Sequence, residues 1–254
     1  MLLDGLVVSN GGGNAGAAGL GIYMSGNFTA EVYNCLIVSN YANVTGGGDG
    51  PGVHLVNGTA IFTNCVFDNN GSGAGSDNGG AVFIDSGIVS ISNCTFAGNS
   101  CSGEGGAIAM DGVVVSISDC IFYTNEAPIR ADSISVLGGT AFINYARMDG
   151  TNVTDDVYDA VAGLAISNVI FDAPSFASDS DYHLMSRAAR WDPALQAWVK
   201  DSIQSACIDS GNPDSDYSNE PTRDGNRINL GAYGGTPHAS ETLRGGATVI
   251  IYER

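Results

Sequence analysis

The densest set of ligating side chains in the sequence is "TDDVYD" at 154–159, which brings Asp155, Asp156 and Asp159 into one short stretch. Oxygen donors so spaced suit a hard cation, and Ca2+ is the ion they would take. A solvated turn uses the same residues, so the triplet is a candidate metal site and not a motif. His54, His183 and His238 stand in separate segments with no nucleophile at motif spacing, and no triad can be written from them. Sugar cleavage needs either a basic residue working beside Ca2+ or clustered carboxylates. All nine Lys and Arg lie from Arg130 onward, so only Arg130, Arg147 or the last third of the chain could supply that base. Hydrolase signatures such as Asn-Thr-Asp and Gly-His-Gly are missing.

Six cysteines remain, and four of them mark a repeat. "VYNCLIVSN" (32–40), "FTNCVFDNN" (62–70), "ISNCTFAGN" (91–99) and "ISDCIFYTN" (117–125) share one shape, with Cys35, Cys65, Cys94 and Cys120 at its fourth position. Fainter copies anchor on Gly5, Tyr145 and Val169, giving intervals of 30, 30, 29, 26, 25 and 24 residues and seven rungs. A unit of that length cannot bury a core alone, so the copies must stack. The spacing lacks a C-x2-C metal signature, and at a repeated inward position Cys behaves as a small apolar residue. The four are therefore expected as a buried column of free thiols, leaving Cys101 in a loop and Cys207 near the C-terminus as the more exposed pair.

The elements that must carry these residues follow from alternation. In 89–96, Val89 and Ile91 point one way, and Cys94 and Phe96 resume the inward phase after a slip at Ser92-Asn93. Asn tolerates the left-handed backbone of such a corner, and its amide can bond the equivalent residue of the next rung. Asp4, Asn34, Asn64, Asn93, Asp119, Asn144 and Asn168 form that column, and Asn10, Asn40, Asn70, Asn99 and Asn125 form a second one where the next strand ends. A third strand follows a Gly-rich loop. It turns Ile22/Met24, Val53/Leu55, Val82/Ile84 and Ile108/Met110 inward and Tyr23, His54, Phe83 and Ala109 outward. Three short parallel strands per turn predict an all-β fold, a single right-handed parallel β-helix spanning about 34 Å at about 4.8 Å per rung.

Charge narrows the partners. Residues 1–129 hold ten Asp and Glu and no basic side chain, within a formal net charge of −18, so nucleic acid is not an expected partner. No apolar run reaches membrane-spanning length. The start, "MLLDGLVVSN", reads as the middle of a rung, so an export signal would belong to a longer parent chain.

"GGAV" (79–82), "GGAI" (105–108), "FDNN" (67–70), "FAGN" (96–99) and "FYTN" (122–125) resemble the GGA-[ILV] and FxxN repeats of polymorphic outer membrane proteins, which are surface-exposed β-helical passengers and adhesins. "DYHLMSRAARWDP" (181–193) and "CIDSGNPDSDYSNEPTRDGNRINLGAYGG" (207–235) resemble the closing segment of exported bacterial proteins with pectate-lyase-like β-helices. The resemblances imply a β-helix over 1–175, a C-terminal cap over 176–254, and a secreted or surface-anchored bacterial product. They assign no activity to any residue. Trp191, Trp198, Leu184, Ile203 and Ile208 are expected to cover the open solenoid end, with Asp209 and Arg227 as a structural ion pair.

The expected function is noncatalytic binding or adhesion at an extracellular or cell surface by a monomer. The outward column Tyr23, His54 and Phe83, beside loops 41–51 and 71–79, is the candidate platform for a glycan or a surface protein. A polysaccharide lyase or glycoside hydrolase is the alternative, with catalytic rungs outside this chain.

Overall fold

A computed structural model describes residues 1–13, 18–42, 48–73, 75–222 and 225–243. Its first 170 residues form a parallel β-solenoid of about five turns with almost no helix. One face stacks Leu2–Asp4, Thr29–Tyr33, the second halves of Val53–Thr63 and Val82–Ser92, then Val113–Tyr123, Gly139–Arg147 and Leu164–Ile170. A second face stacks Val7–Ser9, Leu36–Val38, Val66–Asp68 and Thr95–Ala97 onto the end of Val113–Tyr123. The third runs from Ile22–Ser25 through 53–56, 82–86, Ile108–Met110 and Ile134–Val136 to Val157–Asp159. All these pairings are parallel. The seven rungs read from the spacing exceed the circuits observed because each anchor marks one corner, and a corner at either end does not close a turn.

The inward residues lie where alternation puts them. Val32, Phe62, Ile91, Ile117 and Ile143 occupy one register column, and Val53/Leu55, Val82/Ile84 and Ile108/Met110 meet them across the core. Cys35, Cys65, Cys94 and Cys120 are buried there as free thiols. Phe67, Phe96 and Phe122 stack next to them, with ring centroids 4.5 and 5.0 Å apart and planes within 5°. Each buried phenylalanine contributes apolar burial worth about 1.5–3 kcal/mol. Two fainter anchors sit one residue away from the sequence alignment: Leu6 and Ala146, and not Gly5 and Tyr145, share the cysteine position. Gly5 and Tyr145 instead make the left-handed corner, at φ 64° and 52°.

The asparagine columns divide the work differently from the expectation. The second column is the continuous ladder: Asn40 donates through Nδ2 to Asn70 Oδ1 at 2.9 Å, Asn70 to Asn99 at 3.0 Å and Asn99 to Asn125 at 3.0 Å. The same oxygens accept the backbone N–H groups of Asn40, Asn70 and Asn99, and all four side chains are buried. Gly11, not Asn10, stands at its first position and donates its N–H to Asn40. The first column makes rung-to-rung amide bonds at its ends, Asn34 to Asp4 and Asn168 to Asn144. In the middle, Asn64, Asn93 and Asp119 turn outward to the C-terminal segment. After the second column a two-residue strand stack, Gly12–Gly13, Tyr41–Ala42 and Gly71–Ser72, adds a fourth side absent from the three-strand reading.

Beyond about residue 175, the described chain packs along the second face through residues 182–232. Leu184, Cys207, Ile208 and Leu230 pack on Ile121, and Tyr182 and Ala232 pack on Val66 and Ala97, all outward residues of that face. Expected over an open end, the segment makes its contacts on the flank. Two antiparallel pairs stiffen it, Phe176–Ser178 with Asp181–Leu184 and Arg190–Asp192 with Ala197–Val199. Trp198 and Ile203 are exposed and cover no core, while Trp191 packs edge-to-face on Trp198 and stacks on His238. No described helix is long and apolar enough to cross a membrane.

Candidate functional site

Register alone brings Tyr23, His54 and Phe83 together, because they pair across successive third-face strands. Tyr23 meets His54 edge-to-face at 5.5 Å, and His54 meets Phe83 likewise at 5.1 Å. Exposure falls steeply along the file: Tyr23 is 55% exposed, His54 is half-buried and Phe83 is 8% exposed. Gly50 closes over Phe83 so tightly that an added Cβ would come within 2.8 Å of its Cβ. The file therefore presents one open ring, Tyr23, above two packed ones. His54 faces the carbonyl of Asp49 at 3.1 Å through Nδ1, which must carry the hydrogen because a carbonyl only accepts. Burial pushes its pKa down, with the Asp49 and Asp85 carboxylates opposing. Its Nε2 is buried with no partner among the described residues. Of the neighbouring loops, 43–47 and 74 lie outside the described residues.

The three carboxylates of 154–159 are not brought to one point. Asp155 accepts from Asn152, Asp156 from Gly150 N–H and Ser133 Oγ, and Asp159 from the N–H groups of Val161, Gly163 and Leu164. Burial pushes the Asp156 carboxyl up. Asp159 is held below the ordinary range, since its backbone donors outweigh desolvation. No group of three or more acidic, His or Cys side chains positioned to hold a metal occurs among the described residues.

Other candidate groups are spent on structure. Arg147 is buried, donates to Asp149, Phe122 O and Asp172 O, and lies over the Tyr123 ring. Arg130 lies over the Tyr158 ring at 4.5 Å. Asp209 and Arg227 do not pair as expected: Asp209 accepts from Gly225 N–H and Thr242, and Arg227 donates to carbonyls of Ser210 and Gly211. Cys101 and Cys207, expected to be the accessible thiols, are buried, and desolvation raises each to about 12.

Two flank grooves escape the sequence reading because the C-terminal segment builds one wall of each. The first, about 580 Å³, lies between Asn34, Leu36, Asn64 and Val66 on the solenoid and 232–238 opposite. Its rings are engaged, Tyr233 stacking on His183 at 3.6 Å and His238 on Trp191 at 4.9 Å. The second, about 550 Å³, has Asp68, Asn69, Gly98, Tyr123 and Thr124 on the solenoid side and Phe176, Ser178, Asp179 and Tyr182 on the other. Phe176 bridges its aromatic wall, edge-to-face with Tyr123 at 5.6 Å and with Tyr182 at 5.1 Å. Burial, with the Asp179 charge adding to it, pushes the Asp68 carboxyl up against the effect of Tyr182. The outward positions of "FDNN", "FAGN" and "FYTN" were the sequence signal for its solenoid wall.

Fold and grooves together define a parallel β-solenoid with a lateral C-terminal segment. No protein-family model, curated protein or solved structure matches the chain.

Proposed function

We propose that the protein is a noncatalytic extracellular or cell-surface module that binds glycans or surface proteins. The observation that carries this reading is the contrast between the spent titratable groups and the open aromatic-polar surfaces. Arg147, Asp156 and Asp159 are occupied by internal hydrogen bonds. Tyr23 and the flank grooves offer rings beside hydrogen-bonding groups, the combination that saccharide and protein ligands use. The repeats resembling polymorphic outer membrane proteins and the closing segment resembling exported pectate-lyase-like proteins support a surface location. The outward file Tyr23, His54 and Phe83, expected to face the ligand, contributes one open ring to these surfaces, because His54 and Phe83 are packed.

The lyase or hydrolase alternative would need a free base or an acid pair on the solenoid, and Arg147, its best-placed base, is buried and bonded on several sides. Affinity electrophoresis through gels cast with neutral and acidic polysaccharides, with reducing ends measured on the same polymers, tests the reading. Retardation without new reducing ends or unsaturated products is expected. Turnover that disappears on Arg147→Ala, in protein still folded by circular dichroism, would replace it with the enzymatic alternative.

A further inference from the structure

The second flank groove brings rings, carboxylates and small polar groups together. Its wall is a bridged set of three rings, Tyr123, Phe176 and Tyr182. Two carboxylates line it, Asp68 half-buried and Asp179 exposed. Small polar groups, Asn69, Thr124 and Ser178, stand at its rim. A pyranose has this complementary pattern: an apolar C–H face for a ring, and equatorial hydroxyl pairs that donate to a carboxylate. The volume, about 550 Å³, falls in the range of small-ligand sites and suits two or three sugar units.

We infer that this groove is the binding subsite for a neutral oligosaccharide, resting on the binding-module reading above and naming its ligand class. Charge selects against the acidic alternative. Asp68 and Asp179 repel uronates, and with no basic side chain before Arg130 the solenoid wall has only Arg147 nearby, already bound to Asp149. The first groove lacks a lining carboxylate, and its Asn64 amide is committed to the carbonyls of Ala232 and Gly234.

The groove is also held in shape before any ligand arrives. Arg147 lies over Tyr123 and anchors the preceding strand to Asp172. Asn69 donates to the Asp68 carboxylate at 2.6 Å, and the Tyr182 hydroxyl donates to Asp179 O at 3.1 Å. Gly98, at φ 61°, keeps the floor between Asn69 and Thr124 free of a side chain. Preorganised rings and acceptors lower the ordering cost of binding a flexible sugar.

The test is isothermal calorimetry on the full chain with trisaccharides of glucose, galactose, mannose and N-acetylglucosamine, and with trigalacturonate as the anionic control. At least one neutral trisaccharide is expected to bind at least tenfold more tightly than trigalacturonate. Asp68→Asn should weaken it about tenfold, the effect of one charged hydrogen bond. Ser178→Trp, which puts an indole on the exposed rim, should abolish binding. Val114→Ala, on the exposed first face away from the groove, should leave it unchanged. Thermal melting of each variant checks that the groove is still built. Binding that survives Ser178→Trp and Asp68→Asn but falls with Tyr23→Ala would overturn this inference and keep the binding-module reading. Absence of binding by every neutral trisaccharide at millimolar concentration would overturn it too, whereas the module reading answers separately to the polymer gels.

Discussion

At the scale of single residues, the asparagines show how one side chain does two jobs. Asn99 accepts from the Asn70 N–H and Nδ2 and donates to Phe67 O and Asn125 Oδ1, fully buried. Asn99→Leu leaves the Asn70 N–H and one of its Nδ2 hydrogens unpaired and takes a donor from Phe67 O and from Asn125 Oδ1, which keeps the Asn99 N–H, so at about 1–3 kcal/mol for each buried group left unpaired the loss should be at least about 2 kcal/mol. Asn34→Gly deletes an exposed amide bond but keeps the left-handed corner at φ 52°, so it should cost under about 1 kcal/mol. Urea denaturation of the pair checks this, and equal losses would mean that the buried ladder is not what fixes register. The sequence announces both columns. It does not say which is buried, because that depends on whether a corner turns its amide into the solenoid, as at Asn70 and Asn99, or out toward the distant C-terminal segment, as at Asn64 and Asn93.

At the scale of elements, the strands were readable and the clasp was not. Alternation and a phase slip locate the inward residues of all three faces, since strand geometry makes them a local property. The flank contacts carry no such signal. Asn64 donates to carbonyls of Ala232 and Gly234, 168 and 170 residues away, and any residue could supply a carbonyl. The same remoteness hid the second groove and the burial of Cys207. Asn64→Gly with Asn93→Gly keeps both positive-φ corners and removes the side-chain bonds to 229–234. Hydrogen exchange of the Gly231 and Ala232 amides should accelerate about tenfold or more, while those of Asn70 and Asn99 stay protected. Uniform acceleration would show that solenoid and segment open as one unit.

At the scale of the whole molecule, charge and burial act together on stability. Burial raises the carboxyls of Asp49, Asp68, Asp77, Asp119 and Asp156. A carboxyl whose folded pKa lies above its unfolded value contributes stability that is present below the unfolded value and is lost as pH rises through the folded one. Protonation also relieves a net charge of −18. Asp159, Asp181 and Asp216 work oppositely, held low so that their contribution disappears as pH falls below the usual carboxylate range. His54, lowered by burial, likewise subtracts stability as pH falls below its ordinary value near 6.5. The raised carboxyls outnumber these groups above about pH 4, the ordinary aspartate value. The melting temperature should therefore rise from pH 7 toward about pH 4–5 and drop below that. A melting temperature that falls steadily from pH 7 downward would mean the buried carboxyls are not desolvated as described.

The oligosaccharide subsite proposed above lies between solenoid and flank segment, each supplying one wall. The most direct measurement is a two-dimensional 15N–1H NMR titration of the full chain with the tightest neutral trisaccharide, with the solution assayed for cleavage products at its end. Shift changes should cluster at residues 68–69, 97–98, 123–124 and 175–182, with the sugar recovered intact. Changes centred on Tyr23, His54 and Phe83, or cleavage of the sugar, would contradict it.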